Sequence, residues 1–303
     1  MSPDPAEQTP IDPEDRDYFS YNQASLPWSP WIPFSAGKQE FQQIPKEPGL
    51  YRIRPAGKNF LMYIGETKRA LYQRLQDLRM ELKGRDLMPW SDPHAEAAAL
   101  FAWQDADEME YECSAAPLDA SPAARRGMEA YLLYRYRLER NESPLCNFGR
   151  FHPRYRKSTS HRENRRGGKL EEGHKDNPAG WPGLEPLPVH GKPGDPDWMD
   201  LEWQEFTLLN EENIRNIPGG AGLFLLADTG SNEIVFIGQS ADVAGRLIEL
   251  SRKDQEGRNM TFSYQIIGLS ILPHHLRELE ADLIGNFYEQ YRKVPAFQVR
   301  NSW

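Results

Sequence analysis

Apolar and polar positions change their period several times along the chain. Residues Gly49–Arg54 and Asn59–Gly65 alternate or run apolar on either side of Pro55-Ala56-Gly57-Lys58. Two such runs around a turn signal predict a β-hairpin. From Arg69 to Leu82 the apolar residues fall at Ala70, Leu71, Leu75, Leu78 and Leu82, a spacing that places them on one face of a helix. Met109–Cys113 alternates again and predicts a third strand. Arg125–Leu138 returns to the helical period, and Ser121-Pro122 ahead of it supplies an N-cap and a first-turn proline. The expected architecture is therefore α+β, a small three-stranded antiparallel sheet flanked by helices.

The pattern then recurs. Ile44-Pro45, three residues, Gly49-Leu50-Tyr51 is matched by Ile217-Pro218, three residues, Gly222-Leu223-Phe224. From there GLYRIRPAGKNFLMYIG aligns without a gap to GLFLLADTGSNEIVFIG, with six of seventeen positions identical. Upstream, Leu26, Trp28 and Trp31 mirror Leu201, Trp203 and Phe206. Downstream, Glu129-Ala130 mirrors Glu280-Ala281, and Pro144 mirrors Pro295. Thr261–Ile267 and Leu276–Tyr291 echo the third strand and the last helix. Matches that recur in order identify an internal repeat. Repetition of the tryptophans in both copies favours core packing over base stacking for them.

Composition adds boundaries to this picture. The 303 residues suit about two domains of ~150 residues. Residues 1–18 hold six acidic residues and four prolines, so 1–22 is expected to be a disordered tail. The first module then spans 23–149 and the second 199–303. Residues 150–198 between them are basic, then rich in Pro and Gly, and read as a linker. No apolar stretch approaches the ~20 residues that span a bilayer, which predicts no membrane partner. The N-terminal residues lack the basic and apolar regions of a secretory signal, so a cytoplasmic location is expected. Only Cys113 and Cys146 are present, which argues against a disulfide framework or a zinc site.

The net charge of −9 first argues against a nucleic-acid partner, but it is unevenly spread. Residues 150–169 contain eight Lys/Arg and one Glu, a local +7 against −16 for the remainder. Arg150, Arg154, Arg156, Lys157, Arg162, Arg165 and Arg166, interleaved with Phe151, His152, Tyr155 and His161, suit phosphate contact and base stacking. DNA is the expected partner, with single and double strands both open.

Gly49-Leu50-Tyr51, eleven residues, Tyr63-Ile64-Gly65 and then Arg74 in the following helix resemble the GIY-YIG nuclease superfamily. Glu129 and Asn147 are similar to that family's later Glu and Asn, and Lys68 to its basic residue after the second tripeptide. The resemblance covers nearly the whole first half. It implies a metal-dependent DNA endonuclease. Tyr51, Tyr63, Lys68, Arg74, Glu129 and Asn147 would form its catalytic site. Glu129 would hold one Mg²⁺ or Mn²⁺, and a tyrosine would act as general base. Relatives place a His about one turn after the Arg. Here Leu78 and Arg79 stand there, and His94 is a candidate substitute. In the second copy Tyr51 becomes Phe224, Tyr63 becomes Phe236, Lys68 becomes Ala241 and Asn147 becomes Gln298. Only Glu280 and a displaced Arg246 persist. That copy is expected to keep the fold, lack catalysis and pair with the first within the chain. The competing expectation is a non-catalytic nucleic-acid or protein-interaction protein built on the same fold.

Overall fold

The computed structural model describes residues 26–84, 86–92, 95–253 and 257–299. The expected N-terminal tail and His94 lie outside them.

The first half builds β1 (Ile32–Pro33), α1 (Lys38–Phe41), β2 (Gly49–Pro55), β3 (Tyr63–Thr67), α2 (Leu71–Leu82), α3 (Ala95–Asp107), β4 (Tyr111–Pro117) and α4 (Pro122–Arg140). A short hairpin, β5 (Tyr155–Arg156) with β6 (Gly168–Lys169), follows. The second half builds β7 (Thr207–Leu208), α5 (Glu211–Ile214), β8 (Ala221–Asp228), β9 (Ile234–Ser240), α6 (Val243–Ser251), β10 (Met260–Gly268) and α7 (Pro273–Tyr291). The fold is mixed α+β with antiparallel sheets. Each large sheet has four strands rather than the expected three, ordered β1-β4-β2-β3 and β7-β10-β8-β9. The additional strands, β1 and β7, are two residues long and sit at an edge, so they carry no readable period. Their position explains the repeated aromatics. Trp28 and Trp203 are buried, and the Arg52 guanidinium lies 4.4 Å from the Trp28 ring and 4.6 Å from the Trp31 ring. Phe206, in contrast, is exposed.

The repeat is also one of register. Tyr51 pairs with Gly65 across β2 and β3, and Phe224 pairs with Gly238 across β8 and β9. Leu71, Leu75 and Leu78 are buried in α2, with Leu82 a turn further, as Val243, Leu247 and Leu250 are in α6. This match makes Arg246 the true counterpart of Arg74. The apparent displacement is a turn shorter by one residue between β9 and α6. The halves differ most at α3, which has no counterpart between α6 and β10 among the described residues.

The two halves meet through α4 and α7, which run antiparallel. Equivalent positions in these helices are 151 apart, as Glu129 and Glu280 show. Tyr134 and Gly285 are equivalents, and they touch each other. Gly127 packs on Tyr288, and their equivalents Glu278 and Arg137 are 3.7 Å apart. Tyr131 packs on Tyr288 at 6.0 Å between rings, and their equivalents Asp282 and Arg137 form a 2.7 Å ion pair. Each contact and its exchanged copy are both present, the mark of a two-fold, isologous interface. Here the two-fold lies within one chain.

Residues 150–198 do more than link. Tyr155 donates its hydroxyl to Asp105 on α3 at 2.5 Å, and the Ser91 amide donates to the Thr159 carbonyl at 3.1 Å. The later part straps across α7. The amides of Leu184 and Leu187 donate to Glu278 and Asp282, while Trp198 and Met199 are fully buried. No helix among the described residues is long and apolar enough to cross a membrane.

Candidate functional site

The close approach of β2 and β3 dictates the centre of the site. A Cβ on Gly65 would lie 2.6 Å from the Tyr63 ring and 2.8 Å from the Tyr51 hydroxyl. Only glycine leaves room for both rings on that face. They stand 5.9 Å apart at 32°. The second half reproduces the arrangement with Phe224 and Phe236, also 5.9 Å apart, at 31°, over Gly238. The ring positions therefore belong to the fold, and the hydroxyls belong to the first half alone.

Helix α2 delivers Arg74 to these rings. Its Nε donates to the Tyr51 hydroxyl at 3.2 Å, and its Nη2 donates to Glu96 Oε1 at 2.5 Å. Tyr51 donates its own hydroxyl to the same Glu96 oxygen at 2.9 Å. In α6, Arg246 turns instead to Glu249 at 2.9 Å, because Phe224 offers no oxygen. Burial, and next the negative charge of Glu96, hold both Tyr51 and Tyr63 well above the ordinary phenol pKa. Both hydroxyls therefore remain protonated at neutral pH.

Glu129 projects from α4 and accepts the Glu66 amide at 3.2 Å. Burial, reinforced by the charge of Glu66, pushes its pKa up to about 8. It has no ion-pair partner within 4.0 Å among the described residues, since Arg125 and Arg126 both engage Glu66. Glu280 in α7 is likewise raised by burial, to about 7, although Gln239 stands where the first half has Glu66 and Arg277 opposes the shift.

Asn147 is placed differently from a group that reaches substrate. Its Oδ1 accepts the Ile64 amide at 3.0 Å and its Nδ2 donates to the Ile64 carbonyl at 2.8 Å. Gln298 clamps Ile237 in the second half at the same two distances. Asn147 thus pins β3 beside Tyr63. Replacing it with Ala leaves the Ile64 backbone without these partners and should cost about 1–3 kcal/mol. A urea midpoint unchanged from wild type would contradict the clamp.

A cavity of about 130 Å³ opens beside Tyr63. Glu96, Cys146, Asn147, Arg150 and Lys157 line it. Arg150 is buried, donates to the Ser143 carbonyl at 2.9 Å, and keeps a buried Nε without a hydrogen-bond partner. Lys157 is part-buried, and desolvation lowers its pKa. Nearby, Arg277 of α7 donates to the Phe148 carbonyl at 2.8 Å, so the second half reaches the cavity rim.

The structure brings Tyr51, Tyr63, Arg74 and Glu129 to one end of one sheet, with Asn147 supporting them. Lys68 is exposed on the turn into α2. The expected nucleic-acid contacts divide. Arg150 and Lys157 line the cavity. Arg154 is spent on Asp176 and on the His174 and Glu171 carbonyls, and Arg166 stacks on Trp90 and donates to the Met88 carbonyl. Arg156, Arg162 and Arg165 are exposed, the last 3.7 Å from Glu163. Glu96 was not anticipated. It begins a helix whose Ala97–Ala102 are all buried, so no amphipathic stripe marks it. Among the described residues no group of three or more His, Cys, Asp or Glu forms a metal cage. No family model matches the chain, and no curated protein or solved structure matches it either.

Proposed function

We propose that the first half is a GIY-YIG-type, metal-dependent DNA endonuclease and that the second half is a related, non-catalytic module. The observation that carries this reading is convergence. Residues spread over 79 positions, from Tyr51 to Glu129, meet at the end of β2 and β3 beside a cavity lined by buried Arg150 and part-buried Lys157.

The donor set fits a divalent cation. Glu129 is a part-buried carboxylate with no ion-pair partner within 4.0 Å among the described residues, and one of its oxygens already accepts an amide. A hard cation suits such an oxygen and would restore its ionised form. Mg²⁺ or Mn²⁺ there would supply Lewis-acid polarisation of a phosphate oxygen. The remaining roles fall to the chain. Arg74 has Nη1 left after its bonds to Tyr51 and Glu96, and that edge is available to a non-bridging oxygen. Arg150 and Lys157 offer positive charge inside the cavity, where low dielectric strengthens it. Asn147 holds β3, and so Tyr63, in place. Lys68, exposed on the turn into α2, is offered to the adjoining phosphates.

The test is incubation of the full chain with single- and double-stranded DNA in Mg²⁺ and in Mn²⁺. Wild type should cut at least one of them. Arg74→Ala should lose about 10²–10³-fold in rate, the scale for removing a charge-stabilising donor. A variant that cuts like wild type would refute the assignment. Salt-sensitive binding without turnover would instead support an interaction module.

A further inference from the structure

The cavity beside Tyr63 adjoins the Tyr51–Arg74 pair without containing it, since neither Arg74 nor Glu129 lines it. At about 130 Å³ it is smaller than the ~300 Å³ from which small-molecule pockets begin, and a compact tetrahedral anion suits it. Its charges are Arg150, Lys157 and Glu96. Glu96 is already spent on Arg74, at 2.5 Å. The Arg150 residue is only 8% exposed, yet its side chain donates to the Ser143 carbonyl alone among the described residues, and its buried Nε has no partner. No carboxylate among the described residues forms an ion pair with Arg150 or Lys157. A third cation comes from the second half. Arg277 of α7 donates Nη1 to the Phe148 carbonyl at 2.8 Å, and a Cβ on Gly149 would fall 2.5 Å from that nitrogen. Phe148 and Gly149 both line the cavity. Burial first, and then the charge of Arg277, lower the Lys157 pKa, so the two cations feel each other.

The repeat explains why Arg277 is available. Its equivalent, Arg126, lies 3.8 Å from Glu66. Gln239 stands at that position in the second half, and Arg277 forms no ion pair among the described residues, although its charge acts on Glu280. Three cations thus converge with no carboxylate paired to any of them. Partial burial strengthens their repulsion, and an anion between them relieves it. We infer that Arg150, Lys157 and Arg277 form a seat for one phosphate group of a DNA strand, next to the phosphate held at Arg74, and that the second half thereby completes the substrate site of the first. The identity of the strand rests on the nuclease reading given above. A strand passing Arg74 continues past Tyr63, whose ring faces Tyr51 on one side and the cavity on the other.

The experiment measures the anisotropy of labelled single- and double-stranded DNA with the full chain in metal-free buffer, over a series of salt concentrations. Arg277→Gln removes the charge from an exposed side chain. At low salt it should weaken binding about tenfold or more, and the gap should narrow as salt rises. Arg277→Lys keeps the charge and should recover part of the loss, and Lys157→Gln should lose affinity in the same salt-dependent way. Arg252→Gln, at an exposed arginine of the second half already 2.7 Å from Glu211, should bind like wild type. Thermal melts confirm that each variant is folded. Equal affinity of Arg277→Gln and wild type at low salt would overturn the seat. A loss that ignores salt and is not rescued by Lys would make Arg277 a structural tie to Phe148, and would overturn it too. Inorganic phosphate alone is the second arm. If it raises the wild-type melt but not that of Arg277→Gln, while both bind DNA equally, the seat takes free phosphate and the DNA assignment falls. Cleavage is scored separately by adding Mn²⁺. A wild type that binds through Arg277 and never cuts would keep the seat and defeat the nuclease reading. A wild type that binds no DNA would defeat both.

Discussion

Glu129→Gln should abolish metal-dependent cleavage and, at the same time, make the protein more resistant to urea at alkaline pH. The first effect follows from the proposed cation site, where loss of the charged oxygen should cost about 10³-fold or more in rate. The second follows from burial. The Glu129 carboxyl is raised from 4.5 to about 8. Below the lower value both folded and unfolded chains hold the proton, and the side chain carries no penalty. Between the two values the folded chain binds a proton that the unfolded chain has released, so stability falls as pH rises. Above the upper value the whole penalty is present. With allowance for solvent near the side chain, it amounts to about 2–4 kcal/mol. Glu280, raised to about 7, adds a smaller trend of the same sign. Urea midpoints at pH 5 and pH 9 should therefore converge in Glu129→Gln more than in wild type. Mg²⁺ should raise the wild-type midpoint at pH 8 and leave the variant unmoved. Equal responses to Mg²⁺ would remove Glu129 from the metal.

Arg137→Met should be the most damaging substitution between the halves. The guanidinium is fully buried and binds Asp282 through two parallel contacts, at 2.7 and 3.0 Å. It also donates to Ser143 and to the Glu185 carbonyl. Glu278, with no exposed surface, lies 3.7 Å away. Methionine would fill much of the volume but leave two carboxylates buried without a cation. Removing one partner of a buried pair costs about 3–5 kcal/mol. The loss would spread, because the same carboxylates accept the Leu184 and Leu187 amides that fasten the strap to α7. Arg135→Met is the control. Its partners Glu289 and Glu139, at 3.1 and 3.7 Å, are part-exposed, and such pairs contribute less than about 1 kcal/mol. Similar midpoints for the two variants would contradict this account of the interface.

What could be read from the sequence was whatever carried a period or a repeat. The hairpin, α2, α4 and α7 each bury one face, so their apolar positions recur at 2 or 3.6 residues. Tyr51, Tyr63, Arg74 and Glu129 were legible because their spacing is set by those elements. Helix α3 was missed for the converse reason. It is Ala-rich and apolar nearly all round, and the pairing partners of Glu96 lie 22 and 45 positions away. The fold of 150–198 was hidden by its composition. Proline and glycine density excludes long elements, but it does not exclude anchoring by a few residues such as Tyr155, Trp198 and Met199. Charge misled in a similar way. Cations that look free along the chain, Arg154 and Arg166 among them, are spent on carbonyls, a carboxylate and an indole.

The contact between Tyr134 and Gly285 sets a condition on ancestry. These are the same position in the two halves, and they face one another across the two-fold. In an assembly of identical subunits that position would meet itself. Two tyrosines would collide, since a Cβ at Gly285 already falls 2.2 Å from the Tyr134 Cβ, and two glycines would leave a void where the ring now packs. A large residue opposite a small one requires two separately mutable codons. Two halves in one polypeptide meet that requirement. The same freedom lets one half carry phenols and the other phenylalanines at matching positions, without unseating the interface on which both depend.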